Sequence, residues 1–118
     1  MGIRAVFINA NEQREVAAGE SVFAEGDPGT EMFGVISGAV ELRKGAHLLA
    51  TLAPGDTFGE LALVDSAPRS LTAVATEPSV LAVIDDKAFV YLVHETPMFA
   101  LQVMRSMAQR IRERDPQD

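Results

Sequence analysis

Residues 58–70 read Phe-Gly-Glu-Leu-Ala-Leu-Val-Asp-Ser-Ala-Pro-Arg-Ser, and this stretch decides how the rest of the chain is interpreted. Glu60 lies in an apolar run without local compensation, and a buried carboxylate is costly unless it is paired or hydrogen-bonded. Arg69 is a candidate partner, and its planar fork also matches phosphate oxygens. Gly59 permits close backbone approach, and a helical turn over residues 60–64 would present free N–H groups to an anion. The pattern fits both a loop-closing Glu60–Arg69 ion pair and a phosphate clamp.

Short, partly alternating apolar runs surround this stretch and are separated by turn residues. The turns recur at Gly19, 26–29, Gly38, Gly45 and 55–56. This spacing is typical of successive short antiparallel strands. Strands are expected at 21–23, 32–37, 39–43, 48–52, 71–75 and 79–84. The sequence therefore predicts a mostly β fold, a jelly-roll-like β-roll over about residues 12–84.

The pattern changes to helical spacing after residue 84. Asp85 or Asp86 can cap a helix over about residues 86–95. Residues 96–97, Thr-Pro, suit the N-cap and first position of a second helix over about residues 97–114. Because 118 residues form one modest core, we expect a single domain with flanking helices, the two main ones C-terminal to the β-roll.

The last predicted helix carries two apolar stripes. One stripe follows a three-four-three spacing and consists of Leu101, Met104, Ala108 and Ile111. The neighbouring stripe consists of Ala100, Val103 and Met107. Either both stripes pack on the β-roll, or one packs there and the other forms a homodimer interface, and fewer than two heptads leave both open. The basic residues near the helix end, which favour the helix dipole, are expected to be solvated charges: Arg110, Arg112 and Arg114.

Composition excludes several classes of function. The chain has no cysteine, and its two histidines, His47 and His94, are not at ligand spacing, so we expect no metal site and no cofactor. A formal net charge of −7 argues against nucleic-acid binding, which needs clustered basic residues. The chain shows neither a signal peptide nor a membrane segment, which predicts a cytoplasmic protein.

Residues 58–63 resemble the phosphate-binding cassette of the catabolite-activator and protein kinase A regulatory families. They are followed at the family's spacing by Pro-Arg-Ser at 68–70. Residues 23–29, two glycine turns and the closing helices are similar as well, so the resemblance covers about residues 14–114. It implies a non-enzymatic module that binds a cyclic nucleotide, cAMP or cGMP.

The resemblance also implies a role for each cassette residue. Glu60 would accept a hydrogen bond from the ribose 2′-hydroxyl, and Arg69 would pair with the equatorial oxygen of the cyclic phosphate. The N–H groups of Ala62 and Ser70 would complete the phosphate cradle, and Gly59 would contact the ribose side. The implied ligand-binding set is Gly59, Glu60, Leu61, Ala62, Arg69 and Ser70.

Several positions depart from the family pattern. Leu71 stands where a small residue is usual and is expected to narrow the phosphate pocket. The leading helix is shortened to about residues 2–10, and no helix-turn-helix is expected after residue 114. Within the last helix, only Met104, Arg105 and Ser106 are reachable candidates for contact with the base, so the choice between adenine and guanine stays open.

Two classes of function compete. The first is a sensor that passes its ligand state to an unidentified partner protein. The second is a structural or interaction module with the same fold and a weak or empty pocket. An enzyme is disfavoured because Ser66 and Ser70 have no histidine at a recognisable spacing, and Glu60 and Asp65 are too close in sequence for a usual acid/base pair.

Overall fold

The computed structural model describes Phe7, residues 10–65 and residues 67–114. In this part of the chain, eight strands form two antiparallel sheets of four, with orders β1-β8-β3-β6 and β2-β7-β4-β5. The strands are β1 Gln13–Val16, β2 Ser21–Phe23, β3 Met32–Ser37, β4 Val40–Lys44, β5 His47–Leu52, β6 Thr57–Phe58, β7 Thr72–Ala75 and β8 Ser79–Ile84. The helices are α1 Leu61–Val64, α2 Asp86–Glu95 and α3 Met98–Arg114. The predicted mostly β fold with two C-terminal helices is confirmed.

Strand β4 shows why the alternating runs become strands buried on one face. Val40 and Leu42 are buried, whereas Glu41 and Arg43 between them are half-buried. Gly38, in the turn from β3 to β4, has a φ of 93°, which favours glycine. A Cβ there would also overlap the Ser79 hydroxyl. The alternation of polarity therefore decides which face of β4 is buried, and a glycine is required in the turn that precedes it.

The apolar side chains form two clusters on opposite faces of the first sheet. The cluster between the two sheets includes Phe33, Val35 and Phe58. The other cluster lies under the helices and includes Phe7, Met32 and Phe99. Burial of each such side chain contributes about 1.5–3 kcal/mol. Strand β3 supplies side chains to both clusters. Its pairing with β6 positions the segment that follows β6.

The helices pack on the second cluster. Of the two predicted caps, Asp85 caps α2, since its Oδ1 accepts from the Ala88 N–H at 2.8 Å. Helix α3 begins at Met98, one residue after the predicted start, and contributes Phe99 and Val103 to the cluster. The predicted leading helix over residues 2–10 falls largely outside the described residues.

The structure distinguishes the two stripes of α3. Val103 is 5% exposed and Met107 packs against the same cluster. In the other stripe, Met104 is 56% exposed and Ile111 is 64% exposed, and Leu101 is also exposed. One stripe therefore packs on the β-roll, while three large side chains of the other face outward.

Candidate functional site

A cleft of about 170 Å³ lies where the segment after β6 meets the first residues of β7 and the end of α3. Its lining comes from within residues 59–71 and from three single residues that are distant from them in sequence. The lining residues are Phe23 of β2, Leu42 of β4, residues 59–62 with Asp65, residues 67–71, and Arg110 of α3. The six predicted ligand-binding residues are all among them.

Glu60 is held at the floor of this cleft. Gly59 has a φ of 79°, a left-handed conformation that turns the chain from β6 into α1. Glu60 is only 5% exposed, and its Oε1 accepts a hydrogen bond from Nη2 of Arg110 in an ion pair. Its Oε2 is buried and has no hydrogen-bond partner among the described residues. The carboxylate is therefore half satisfied, with one oxygen that still lacks a donor.

Arg110 ties the end of α3 to the cassette. Its Nη1 donates to the Thr57 carbonyl at 2.9 Å and to the Ser106 hydroxyl at 2.7 Å, while Nη2 reaches Glu60. The expectation that Arg110 is a solvated charge is therefore wrong. The buried Glu60 carboxylate requires a positive partner, and the fold supplies it from fifty residues away.

Arg69 is fixed by backbone acceptors and an aromatic ring. It is 8% exposed, and its Nη1 and Nη2 donate to the carbonyls of Gly59 at 3.0 Å and Glu31 at 2.7 Å. Its Cζ lies 4.2 Å from the centroid of the Phe23 ring. Among the described residues Glu60 pairs with Arg110 and not with Arg69, so the loop-closing Glu60–Arg69 ion pair is absent. The two charged residues of the cassette line the same cleft without neutralising each other.

The electrostatic setting of Arg69 combines burial with nearby carboxylates. Burial lowers the pKa of the Arg69 guanidinium from its ordinary value, and the Glu31 carboxylate acts in the opposite direction. Arginine keeps its proton in proteins at ordinary pH. The cleft therefore presents a desolvated cation, and such a cation interacts more strongly with an anion than an exposed one does.

The remaining predicted residues line the cleft but differ in exposure and in hydrogen bonding. Leu61 is 50% exposed and Ser70 is exposed. The Ala62 N–H donates to the Gly59 carbonyl at 3.3 Å, a long hydrogen bond. Leu71 lines the cleft, which the sequence predicts it to narrow. Its side chain also packs on the core between the sheets.

The predicted base-contacting candidates are placed elsewhere. Met104, Arg105 and Ser106 do not line the cleft, and Ser106 instead accepts from Arg110. Arg110 is the α3 residue at the cleft, and the sequence carried one usable signal for it: a buried Glu60 without a local counter-charge.

Metal-binding and membrane-spanning features are both missing from the part of the chain that the structure describes. Within it, no three His, Cys, Asp or Glu side chains are grouped so that they could hold a metal ion. No described helix combines the length and apolar character needed to cross a membrane.

Known proteins are similar to this chain in sequence and in fold. A family model described as the cyclic nucleotide-binding domain matches residues 13–96. The cyclic AMP receptor protein of Thermus thermophilus is 34% identical over 110 residues, which are 88% of this chain and 50% of that protein. A cAMP-dependent protein kinase regulatory subunit of Yarrowia lipolytica is 41% identical over 78 residues, 66% of this chain and 21% of that protein.

One solved structure matches over most of both chains. It comes from work on a cyclic-GMP-dependent signalling pathway that regulates bacterial phytopathogenesis. It superposes with a TM-score of 0.74 at 36% identity, covering 92% of this chain and 89% of the other. This chain spans half or less of the length of the two curated relatives.

Proposed function

Because this chain belongs to the cyclic nucleotide-binding domain family, we propose that it is a non-enzymatic sensor that binds cAMP or cGMP in the cleft and passes its ligand state to a partner protein. The family match over residues 13–96 confirms the resemblance noted for the cassette. The site roles, the preferred base and the partner are proposals. The single observation that carries the site roles is the half-satisfied Glu60 carboxylate, which lines the same cleft as the buried Arg69.

The unpaired Glu60 Oε2 fits the ribose of a cyclic nucleotide. An ionised carboxylate is an acceptor only, so a buried Oε2 without a partner among the described residues calls for a donor. A ribose 2′-hydroxyl supplies that donor. Since Oε1 already accepts from Arg110, ligand and ion pair can share the carboxylate without competing for one oxygen.

Arg69 fits the cyclic phosphate. Its hydrogen bonds to Gly59 and Glu31 use two of the five N–H donors of a guanidinium, which leaves donors for a phosphate oxygen. The Ala62 N–H, whose hydrogen bond to the Gly59 carbonyl is long, can also donate to a phosphate oxygen. Ser70 lines the same cleft. One buried cation with spare N–H donors matches one phosphate charge in an otherwise acidic protein.

Arg110 offers a route by which ligand binding is passed to α3. It contacts Glu60 and the Thr57 carbonyl, so a change at the ribose site acts directly on the end of this helix. The exposed stripe of Leu101, Met104 and Ile111 lies on the same helix and is proposed as a homodimer interface. The absence of nucleic-acid binding is proposed on the basis of the acidic composition.

A second candidate is an interaction module whose pocket is weak or empty. Its support is the size of the cleft, about 170 Å³, which is smaller than the roughly 300–1,000 Å³ of usual ligand pockets. The Leu71 side chain contributes to that narrowness. Under the sensor proposal, the cleft widens when ligand binds.

Calorimetric titration with cAMP, cGMP and their 2′-deoxy analogues separates the two candidates. Arg69→Ala is expected to weaken every nucleotide by about 2–4 kcal/mol, since it removes a charge-assisted contact to a buried phosphate. Glu60→Ala is expected to abolish the preference for ribose over 2′-deoxyribose while keeping part of the affinity. Equal affinity of wild type and Arg69→Ala would rule out the proposed phosphate contact.

A further inference from the structure

The Arg69 guanidinium is packed against two residues that no cassette motif includes, Phe23 of β2 and Gly29. We infer that Phe23 is a positioning residue, which holds Arg69 in its phosphate-binding orientation by stacking, and that Gly29 provides the space this orientation needs. The inference rests on the proposed function, because it assigns to Arg69 the phosphate contact described above.

The stacking geometry is that of a cation–π contact. The Arg69 Cζ lies 4.2 Å from the Phe23 centroid and 5.8 Å from the Phe33 centroid, and contacts within about 6 Å are attractive. The Phe23 ring is itself fixed, with centroids 6.1 Å from Phe33 and 6.0 Å from Phe58. A rigid aromatic cluster therefore supports the guanidinium.

Gly29 is required by Arg69 and not by the backbone. Its φ lies outside the left-handed region, so a side chain would cause no backbone strain. A Cβ at this position would overlap Nε and Cζ of Arg69, and its three nearest heavy atoms all belong to that side chain. Gly26 gives the contrast, because it has a φ of 87° and no heavy atom within 4 Å of the place its Cβ would take.

An arginine side chain that is already ordered binds phosphate more tightly than one that is ordered only on binding. Arginine has several rotatable bonds, and ordering them during binding reduces the affinity. Here two backbone carbonyls and the Phe23 ring order the side chain before any ligand arrives. Loss of the ring is therefore expected to weaken nucleotide binding about 3- to 30-fold.

The test compares Phe23→Leu, which keeps an apolar side chain but removes the ring, with Phe23→Tyr, which keeps the ring. Phe89→Leu is the matched control, since Phe89 is also half-buried but packs in the cluster under the helices. The probes are cAMP or cGMP, whichever wild type binds tighter, and its two phosphorothioate diastereomers. Sulfur at the equatorial position reports the Arg69 contact directly.

Phe23→Leu is expected to lose the discrimination between the two diastereomers while keeping the preference for ribose over 2′-deoxyribose. Phe23→Tyr and Phe89→Leu are expected to keep both. Gly29→Ala, which displaces the guanidinium without straining the backbone, is expected to behave like Phe23→Leu. Unchanged discrimination in Phe23→Leu and Gly29→Ala would overturn the inference.

A second readout needs no ligand. In the NMR spectrum, the Arg69 Nε–Hε signal is expected to be shifted by the Phe23 ring current in wild type and in Phe23→Tyr, and to move toward free arginine in Phe23→Leu. If wild type binds no nucleotide, the proposed function fails, yet this signal still decides the stacking. An Arg69 signal that is the same in wild type and Phe23→Leu would refute it.

Discussion

The ion pair between Arg110 and Glu60 makes Arg110→Ala an informative perturbation. The Glu60 side chain is 7% exposed and that of Arg110 is 14% exposed, so water screens the pair little. Removal of one partner from a buried ion pair costs about 3–5 kcal/mol, because the other charge stays buried and uncompensated. The variant also loses the hydrogen bond to the Thr57 carbonyl, a contribution of about 1 kcal/mol.

We expect Arg110→Ala to lower the free energy of unfolding by about 4 kcal/mol: about 3 from the ion pair, near the lower end because the arginine keeps some solvent contact, and about 1 from the hydrogen bond. This corresponds to a fall in melting temperature of roughly 15 °C for a domain of this size. The measurement is urea unfolding at one fixed protein concentration, because self-association would otherwise shift the midpoint. Arg112→Ala, which changes an exposed arginine on the same helix, is expected to stay within about 0.5 kcal/mol of wild type.

The double variant Glu60→Ala with Arg110→Ala completes the cycle. Since it leaves no buried charge from this pair, it is expected to be less destabilised than the sum of the two single variants, with a coupling of about 2 kcal/mol. Additive effects, or an Arg110→Ala variant within about 1 kcal/mol of wild type, would show that the ion pair does not hold α3 to the cassette.

Three further perturbations test other parts of the account. Replacement of Met104 and Ile111 by glutamate puts charge on the exposed stripe of α3, so sedimentation is expected to show a folded monomer in place of a dimer. A wild type that is monomeric at high micromolar concentration argues against the interface. Leu71→Ala is expected to tighten nucleotide binding while lowering stability by about 1–2 kcal/mol, since Leu71 lines the cleft and packs on the core; unchanged or weaker binding would contradict this. No gel shift of DNA is expected at physiological salt, with or without cyclic nucleotide, because the net charge is −7, and a shift would disprove this.

The elements of the fold follow closely from the local pattern. Alternation of apolar residues and the glycine turns predict six of the eight strands in the described residues, as in β4, where Val40 and Leu42 are buried. Strands β1 and β6, which the prediction lacks, are short and take their place from pairing with β8 and β3. The sequence predicts a cap at Asp85 or Asp86, and the structure has Asp85, whose partner N–H lies three residues away. The six ligand-binding residues are a prediction from the resemblance to a family, because the residues alone are compatible with both an ion pair and a phosphate clamp.

What the sequence pattern could not reveal involves contacts between distant elements. Arg110 is fifty residues from Glu60, and nothing in a run of basic residues on α3 distinguishes the one that turns inward. The stacking of Arg69 on Phe23 depends likewise on how β2 lies against the cassette. Which stripe of α3 packs on the β-roll depends on how the helix lies against the sheet, because both stripes have helical spacing.

The most direct test of the central claim is the melting temperature of the wild-type chain with cAMP and with cGMP. A ligand that binds only the native state at about 100 times its Kd stabilises it by about 2.7 kcal/mol, which raises the melting temperature by roughly 10 °C. We predict such a rise with at least one of the two nucleotides, and a much smaller one for Arg69→Ala. No rise with either nucleotide at millimolar concentration would contradict the sensor function and favour an interaction module with an empty pocket.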